Sequence, residues 1–243
     1  MKYAMRTHIG QRAHNEDRAC TPSAQDGLQF IAVSDGMGGH AAGETASAMT
    51  VNGMREELRH SFAEDPLCAL QRAVSRTNLD VYRAAQDDPA LHGMGATLVC
   101  ALLSGSRYIA ASVGDSRLYH FDGETLEQVT TDHSLVELLV RSGKISREEA
   151  RTHPRRNVIT RAMGIALRVE ADLFDRSWKR GDILLLCSDG LTGRVDEARI
   201  REILQGGGPL DALADRLVQA ALDAGESDNI TVVLAQCEGG SCA

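Results

Sequence analysis

Two stretches of the chain repeat their apolar residues every three to four positions, the period of a helix lying on a core. Leu67, Leu70, Val74, Thr77, Val81 and Ala84 form one such face, opening at Asp65-Pro66, a capping residue followed by proline at the first helical position. Leu210, Leu213, Leu217 and Ala221 form the other, between a Gly206-Gly207-Gly208-Pro209 break and Gly225, which is placed to end the helix. A third helix is expected over 41–60, rich in Ala, Glu and Met but carrying Gly43 and Gly53. Short apolar runs at 28–33, 96–103, 108–113, 118–121, 183–187 and 230–235 have strand length and are bounded by Gly, Asp or Asn. They cluster instead of alternating with helices. The stretch 96–130 offers several in succession, with turn signals at Ser104-Gly105 and Asp122-Gly123, which predicts an antiparallel meander and an α+β domain. A polar insertion at 134–156 carries Leu135, Leu138 and Leu139 on one face and a short acidic turn at 146–150, predicting a small lobe over the main sheet. No repeat or biased linker divides the chain, so 1–243 is expected to be a single domain.

Composition narrows the function classes. With 43% hydrophobic and 25% charged residues over 243 positions, the chain has the balance of a folded protein. Its net charge of −8 and the absence of a basic run longer than His153-Pro154-Arg155-Arg156 argue against nucleic acid or an anionic membrane as partner. The apolar runs fall far below the ~20 residues of a spanning helix. Residues 1–10 alternate charged and apolar positions, unlike a secretion signal. The six cysteines are scattered. Cys100 and Cys187 sit inside strand-like runs, and Cys237 and Cys242 lack two further ligands for a zinc site. Reduced thiols and a cytoplasmic location are expected.

The acids fall where the strands stop. Phe30-Ile31-Ala32-Val33 runs into Ser34-Asp35-Gly36, the 183–187 run into Ser188-Asp189-Gly190, and Ala110-Ala111-Ser112-Val113 into Gly114-Asp115, while the 230–235 run begins just after Asp228-Asn229. One Asp-Gly pair alone marks an ordinary turn. In an antiparallel sheet, however, the end of one strand lies beside the start of its neighbour, so these four carboxylates are expected to converge at one sheet edge. Gathered carboxylates repel and raise one another's pKa unless cations neutralise them. Without accompanying His or Cys, an all-oxygen set suits Mg²⁺ or Mn²⁺, and the wide spread of the acids along the chain is unlike an EF-hand. Arg12 precedes Glu16 by four residues, a spacing that can set a guanidinium fork beside a metal-holding carboxylate, the pairing a phosphoryl dianion needs.

These residues resemble the ordered motifs of the PP2C (PPM) metal-dependent protein serine/threonine phosphatases, bacterial branch. The motifs are Arg12 with Asn15-Glu16-Asp17, Ser34-Asp35-Gly36-Met37-Gly38-Gly39-His40, Gly95-Ala96-Thr97, Val113-Gly114-Asp115-Ser116-Arg117, Thr131-Asp132-His133-Ser134, Asn157-Val158-Ile159-Thr160-Arg161-Ala162-Met163-Gly164, Ser188-Asp189-Gly190-Leu191 and Ser227-Asp228-Asn229-Ile230-Thr231. The resemblance implies a four-layer αββα sandwich of two antiparallel sheets with helices on both outer faces, and a mobile flap at about 134–156. It implies that Asp35 bridges two Mn²⁺ or Mg²⁺ ions, with Asp189 and Asp228 completing the first and the Gly36 carbonyl and Glu16, through water, serving the second. Asp115 and Asp189 would form a weaker third site, Arg12 would bind the substrate phosphoryl group, and Asp17 and Asn229 would hold waters and backbone behind the ligands. The implied reaction is direct attack of a metal-bridging hydroxide on phosphoserine or phosphothreonine, with Arg12 and Asp35 as the catalytic residues. A Hanks-type kinase and its substrates are the implied partners, and the chain is expected to act as a monomer.

One departure matters. Where some eukaryotic members carry a histidine two residues after the bridging aspartate, this chain has Met37, which cannot donate a proton to the departing alkoxide. Water at the metals or another group must do so; His40 is expected to be a loop histidine packed on the following helix. Two rivals remain at this stage. A phosphoprotein-binding module without turnover would not need the full carboxylate set, and a metal-dependent nuclease would need a basic groove.

Overall fold

The computed structural model describes residues 1–22, 28–39, 41–59 and 65–239. Eleven described strands form two sheets, all pairs antiparallel. The first runs β1 (Lys2–His8), β11 (Ile230–Gln236), β10 (Ile183–Cys187), β7 (Arg117–Phe121), β8 (Leu126–Gln128). The second runs β2 (Asp17–Cys20), β3 (Phe30–Met37), β5 (Leu98–Ser104), β6 (Arg107–Val113), β9 (Asp172–Ser177), with the short β4 (Gly95–Ala96) paired to the end of β3.

Strand β10 shows why the sheets stack in layers. All five residues are apolar and buried, and because successive side chains point to opposite faces, both faces must be covered. Leu184 and Leu186 pack between the sheets with Val233 and Ala235, against Ile31, Val33, Val99, Ala101 and Tyr108 of the second sheet. Ile183, Leu185 and Cys187 face the other way, onto α6 (Glu197–Gln205) and α7 (Leu210–Asp223). The outer face of the second sheet carries α1 (Ala41–Arg59) and α2 (Pro66–Asp87) in the same manner, through Met54, Leu70, Val74 and Cys100. The order is helices, sheet, sheet, helices, as the resemblance implied. Helix α2 starts as its sequence predicts, with the Asp65 carboxylate accepting from the Cys68 amide at 3.2 Å. Helix α7 ends before Gly225, whose φ of 78° only glycine adopts easily.

The structure corrects the expected meander. β5 pairs with β6 and β7 with β8, but β6 and β7 belong to opposite sheets, and the chain crosses between them at 114–116. Gly114, at φ +104°, turns the backbone out of the pleat at that point. A glycine after a strand does not reveal whether the next strand returns to the same sheet. The pattern also hides β1, β2 and β9, which lie at sheet edges and bury few residues, and the helix α6, capped by Asp196.

The insertion at 134–156 holds two short helices, α3 (Leu135–Arg141) and α4 (Arg147–Thr152). Ser134 accepts from the Glu137 amide, and Ser146 with Glu149 forms a reciprocal capping box. Neither helix contains a buried residue, and Leu138 is 53% exposed, so the apolar face expected on α3 is only partly covered. One further turn, α5 (Asp189–Thr192), follows β10 directly.

Removing apolar volume should therefore cost stability unevenly. Leu185→Ala, in the sheet–helix core, is expected to destabilise by about 3 kcal/mol and Leu138→Ala by less than about 0.5 kcal/mol, both read from urea unfolding midpoints.

Candidate active site

The antiparallel pairing of β10 with β11 sets Cys187 opposite Val232, so the residue after one strand meets the residues before the other. The Ser188 amide donates to the Thr231 carbonyl at 3.1 Å and Ser188 Oγ accepts from the Thr231 amide at 3.0 Å. Asp189 and Asp228 are thereby held together at the end of the first sheet. Asp35 comes from the other sheet and lies inside β3, not beyond its end. Asp115 comes from the crossover between sheets. The four acids thus meet across the gap between the ends of two sheets, which corrects the expectation of a single sheet edge. With Arg12 and Glu16 they line a cavity of about 430 Å³.

Two close approaches shape the wall. A Cβ on Gly36 would collide with the Gly43 carbonyl, and one on Gly43 with the Glu16 carboxylate. The two glycines let the start of α1 press onto the end of β3 and onto Glu16. Asn229 closes the opposite side: its Oδ1 accepts from the Glu16 amide at 2.8 Å and its Nδ2 donates to the Ile9 and His14 carbonyls. All three of these bonds are to backbone. Asp17, paired in register with Asp35, accepts from Ser188 Oγ at 2.8 Å.

Arg12 donates to Asp228 Oδ2 at 2.7 Å, while Glu16 and Asp35 act on it only through their fields. The expected pairing of Arg12 with Glu16 is not formed. Residues 9–16 form turns, not a helix, so a separation of four places no common face there. The Arg12 side chain remains 59% exposed and lines the cavity. Met37 pairs with Gly95 and lines the cavity. His40 lies outside the described residues.

The acids are held against their ordinary ionisation. Burial pushes Asp17 up to about 7, Asp115 to about 8 and Asp189 to about 6, and neighbouring aspartates add to each shift. Asp35 is raised well above the carboxylate range by burial first and then by Asp17, Asp189, Asp115 and Asp228. Asp17 Oδ1 and Asp189 Oδ1 are buried with no hydrogen-bond partner. Orphaned carboxylate oxygens in a crowded, all-oxygen pocket fit a hard divalent cation. Among the described residues no three acidic, imidazole or thiol groups enclose an ion unaided.

Several residues that shape the site lie within the motifs but had no assigned role. Thr97 ties Asp35 to the crossover: its Oγ1 accepts from the Asp35 amide at 2.9 Å and lies 2.7 Å from Ser116 Oγ, and its amide donates to the Asp35 carbonyl. Arg117 clamps Asp132 bidentately, at 2.9 and 2.7 Å, and Gln128 also donates to Asp132. His133 packs against Gly114. A buried polar residue near an apolar run was the available signal, but its partner is not readable from spacing. A second cavity of about 460 Å³ runs under 134–156 and shares Asp115, Asn157 and Asp189 with the first.

The family model described as protein phosphatase 2C matches residues 6–231. The chain is 40% identical over 241 residues to a serine/threonine phosphatase stp of Listeria innocua, covering 97% of this chain and 96% of that protein. It is 39% identical to the serine/threonine protein phosphatase PstP of Mycobacterium tuberculosis and spans 45% of that longer protein. Among solved structures, the serine/threonine phosphatase Stp1 of Staphylococcus aureus superposes with a TM-score of 0.91 at 38% identity, covering 98% of this chain and 95% of that one. The catalytic domain of PstP, solved with two manganese ions, superposes with a TM-score of 0.86 at 38% identity and 97% coverage of both chains. The chain belongs to the protein phosphatase 2C family and is a protein serine/threonine phosphatase.

Proposed function

We propose that the chain hydrolyses phosphoserine and phosphothreonine in proteins directly, without a phosphoenzyme, using Mn²⁺ or Mg²⁺ held by the cleft carboxylates. The observation that carries this reading is the meeting of Asp35, Asp189, Asp228 and Asp115 beside the exposed guanidinium of Arg12. Asp35 is assigned to two ions, Asp189 and Asp228 to the first, Glu16 and the Gly36 carbonyl to the second, and Asp115 with Asp189 to a weaker third. When bound, such cations supply Lewis acidity, lowering the pKa of water and neutralising charge on phosphoryl oxygens. Two ions were present in the PstP catalytic domain, which supports the first two assignments.

The chain's own residues do the rest. Arg12 offers a fork that fits two phosphoryl oxygens, and Asp228 aims it. Asn229 and Asp17 hold the backbone and Ser188 behind the acids. Met37 cannot protonate the leaving alkoxide, so that proton must come from water or another group. The segment 134–156, with no buried side chain in its helices, is assigned as a movable flap beside the second cavity. A kinase of the Hanks type and its cytoplasmic substrates are the partners that family analogy favours. Among the described residues no helix is long and apolar enough to cross a membrane.

Three outcomes follow. Asp35→Asn and Asp228→Asn should each abolish hydrolysis of a phosphothreonine peptide in Mn²⁺, and undiminished turnover in either would sink the assignment. Arg12→Lys, which keeps the charge but loses the fork, should lower kcat/KM about tenfold or more on the same peptide. The third concerns pH. Without metal, Asp17, Asp115 and Asp189 have folded pKa values of about 6 to 8, above the ordinary value near 4. The stabilisation this brings is complete below pH ~4 and is lost as pH rises through about 6 to 8. Cations displace those protons, so the Mn²⁺-induced rise in Tm should grow between about pH 6 and 8. A rise that is flat across this range would contradict the ligand set.

A further inference from the structure

His133 is buried, at 7% side-chain exposure, and both polar groups of Gly114 are engaged by it. The Gly114 amide donates to His133 Nδ1 at 3.0 Å, and the His133 amide donates to the Gly114 carbonyl at 2.9 Å. Gly114 is the residue whose φ of +104° turns the chain from one sheet to the other, immediately before Asp115. An Nδ1 that accepts carries no proton, so the proton of the neutral ring sits on Nε2. Nε2 faces the Asp172 carboxylate at 3.3 Å, and Arg161, which approaches Nε2 at 3.2 Å, donates to Asp172 at 2.9 Å. Asp172 therefore accepts from both neighbours and secures that tautomer.

The same residue anchors both ends of the 134–156 segment. The His133 carbonyl accepts from the Thr160 amide at 2.7 Å, and the adjacent Ser134 bridges to Ile159 and caps α3. The turn that presents Asp115 and the base of the segment thus share one residue, whose ring holds Gly114 and whose carbonyl holds Thr160.

We propose that His133, as its Nε2–H tautomer, is the positioning residue that sets the Gly114-Asp115 crossover and joins it to the base of the 134–156 segment. Past the last ladder pair of β6, Val113 with Leu98, a glycine at φ +104° leaves the turn before Asp115 with no strand pairing to fix it. An acceptor at Nδ1 supplies the missing restraint. The consequence for cations rests on the assignment of Asp115 to the weaker ion.

Two substitutions separate the ring's two functions. His133→Asn keeps an oxygen near the Nδ1 position and loses the Nε2–H group, whereas His133→Gln places its amide toward Asp172 and leaves Gly114 without an acceptor. In the metal-free full chain, the Gly114 amide should exchange with solvent at least about tenfold faster in His133→Gln and near the wild-type rate in His133→Asn. Calorimetric Mn²⁺ titration should show the weakest binding event reduced about 10- to 100-fold in His133→Gln and largely retained in His133→Asn, with the tighter events unchanged. Nitrogen-15 NMR of the wild-type ring needs no variant. A proton on Nδ1 overturns the proposal, as does unchanged Gly114 exchange in His133→Gln or equal loss of protection in both variants. Asp115→Asn tests the underlying assignment separately. If it leaves the weakest Mn²⁺ event intact, the third-ion reading fails, while the tautomer and Gly114 exchange still decide the role of His133.

Discussion

Crowding of carboxylates between the ends of two sheets is the constraint on which the rest of this structure depends. Burial and mutual repulsion both disfavour the charged forms of Asp35, Asp115 and Asp189, so without cations these three are pushed toward protonation. Against this stand Arg12 at the mouth, whose pair with Asp228 is partly exposed to water, Arg117 near Asp115, and the hydroxyls of Ser188 and Thr231 at Asp17. Elements that fold around such a cluster must be held from behind, by layers that do not rely on the acids at all. Three of the apolar clusters do this, one between the sheets and one under each pair of helices.

The rigidity of those layers is passed to the cleft through a few polar contacts. Thr97 joins Asp35 to Ser116, Ser188 joins β10 to Asp17 and β11, and Asn229 joins the 9–16 turns to the start of β11. Each is a short bond between residues far apart in sequence, and each fixes a backbone position next to an acid. The glycine pair Gly36 and Gly43 acts by the opposite means, removing side chains so that helix and strand can close on Glu16. None of these positions carries a carboxylate, yet each fixes the backbone on which one stands.

Chemistry and recognition meet in the two adjoining cavities. The first holds the acids and Arg12; the second runs beneath short helices that bury no side chain and carries both arginines and glutamates on its wall. A deep, restrained centre beside a lightly packed segment suits an enzyme that must recognise a phosphate closely while accepting varied protein surroundings. Arg147, for example, meets Glu137 only at 3.6 Å, a contact that water can displace.

The order of acids along the chain, the apolar periods of α2 and α7, the fully buried strand β10 and the family motifs were all legible in the sequence, because each depends on neighbours within a few residues. Edge strands such as β1 and β9 were not, since they lack the apolar runs of buried strands. The pairing of Arg12 with Asp228, 216 positions away, could not be read from the spacing that suggested Glu16. Nor could the crossing at Gly114, which a local pattern reads as one more turn. The sequence by itself determined which residue types would gather and that they would favour a hard cation. Only the tertiary structure decided that they gather between two sheets, and which side chains hold them there. Hydrophobic burial specifies faces without naming partners, whereas a hydrogen bond or ion pair exists only once distant backbone has been brought within about 3 Å.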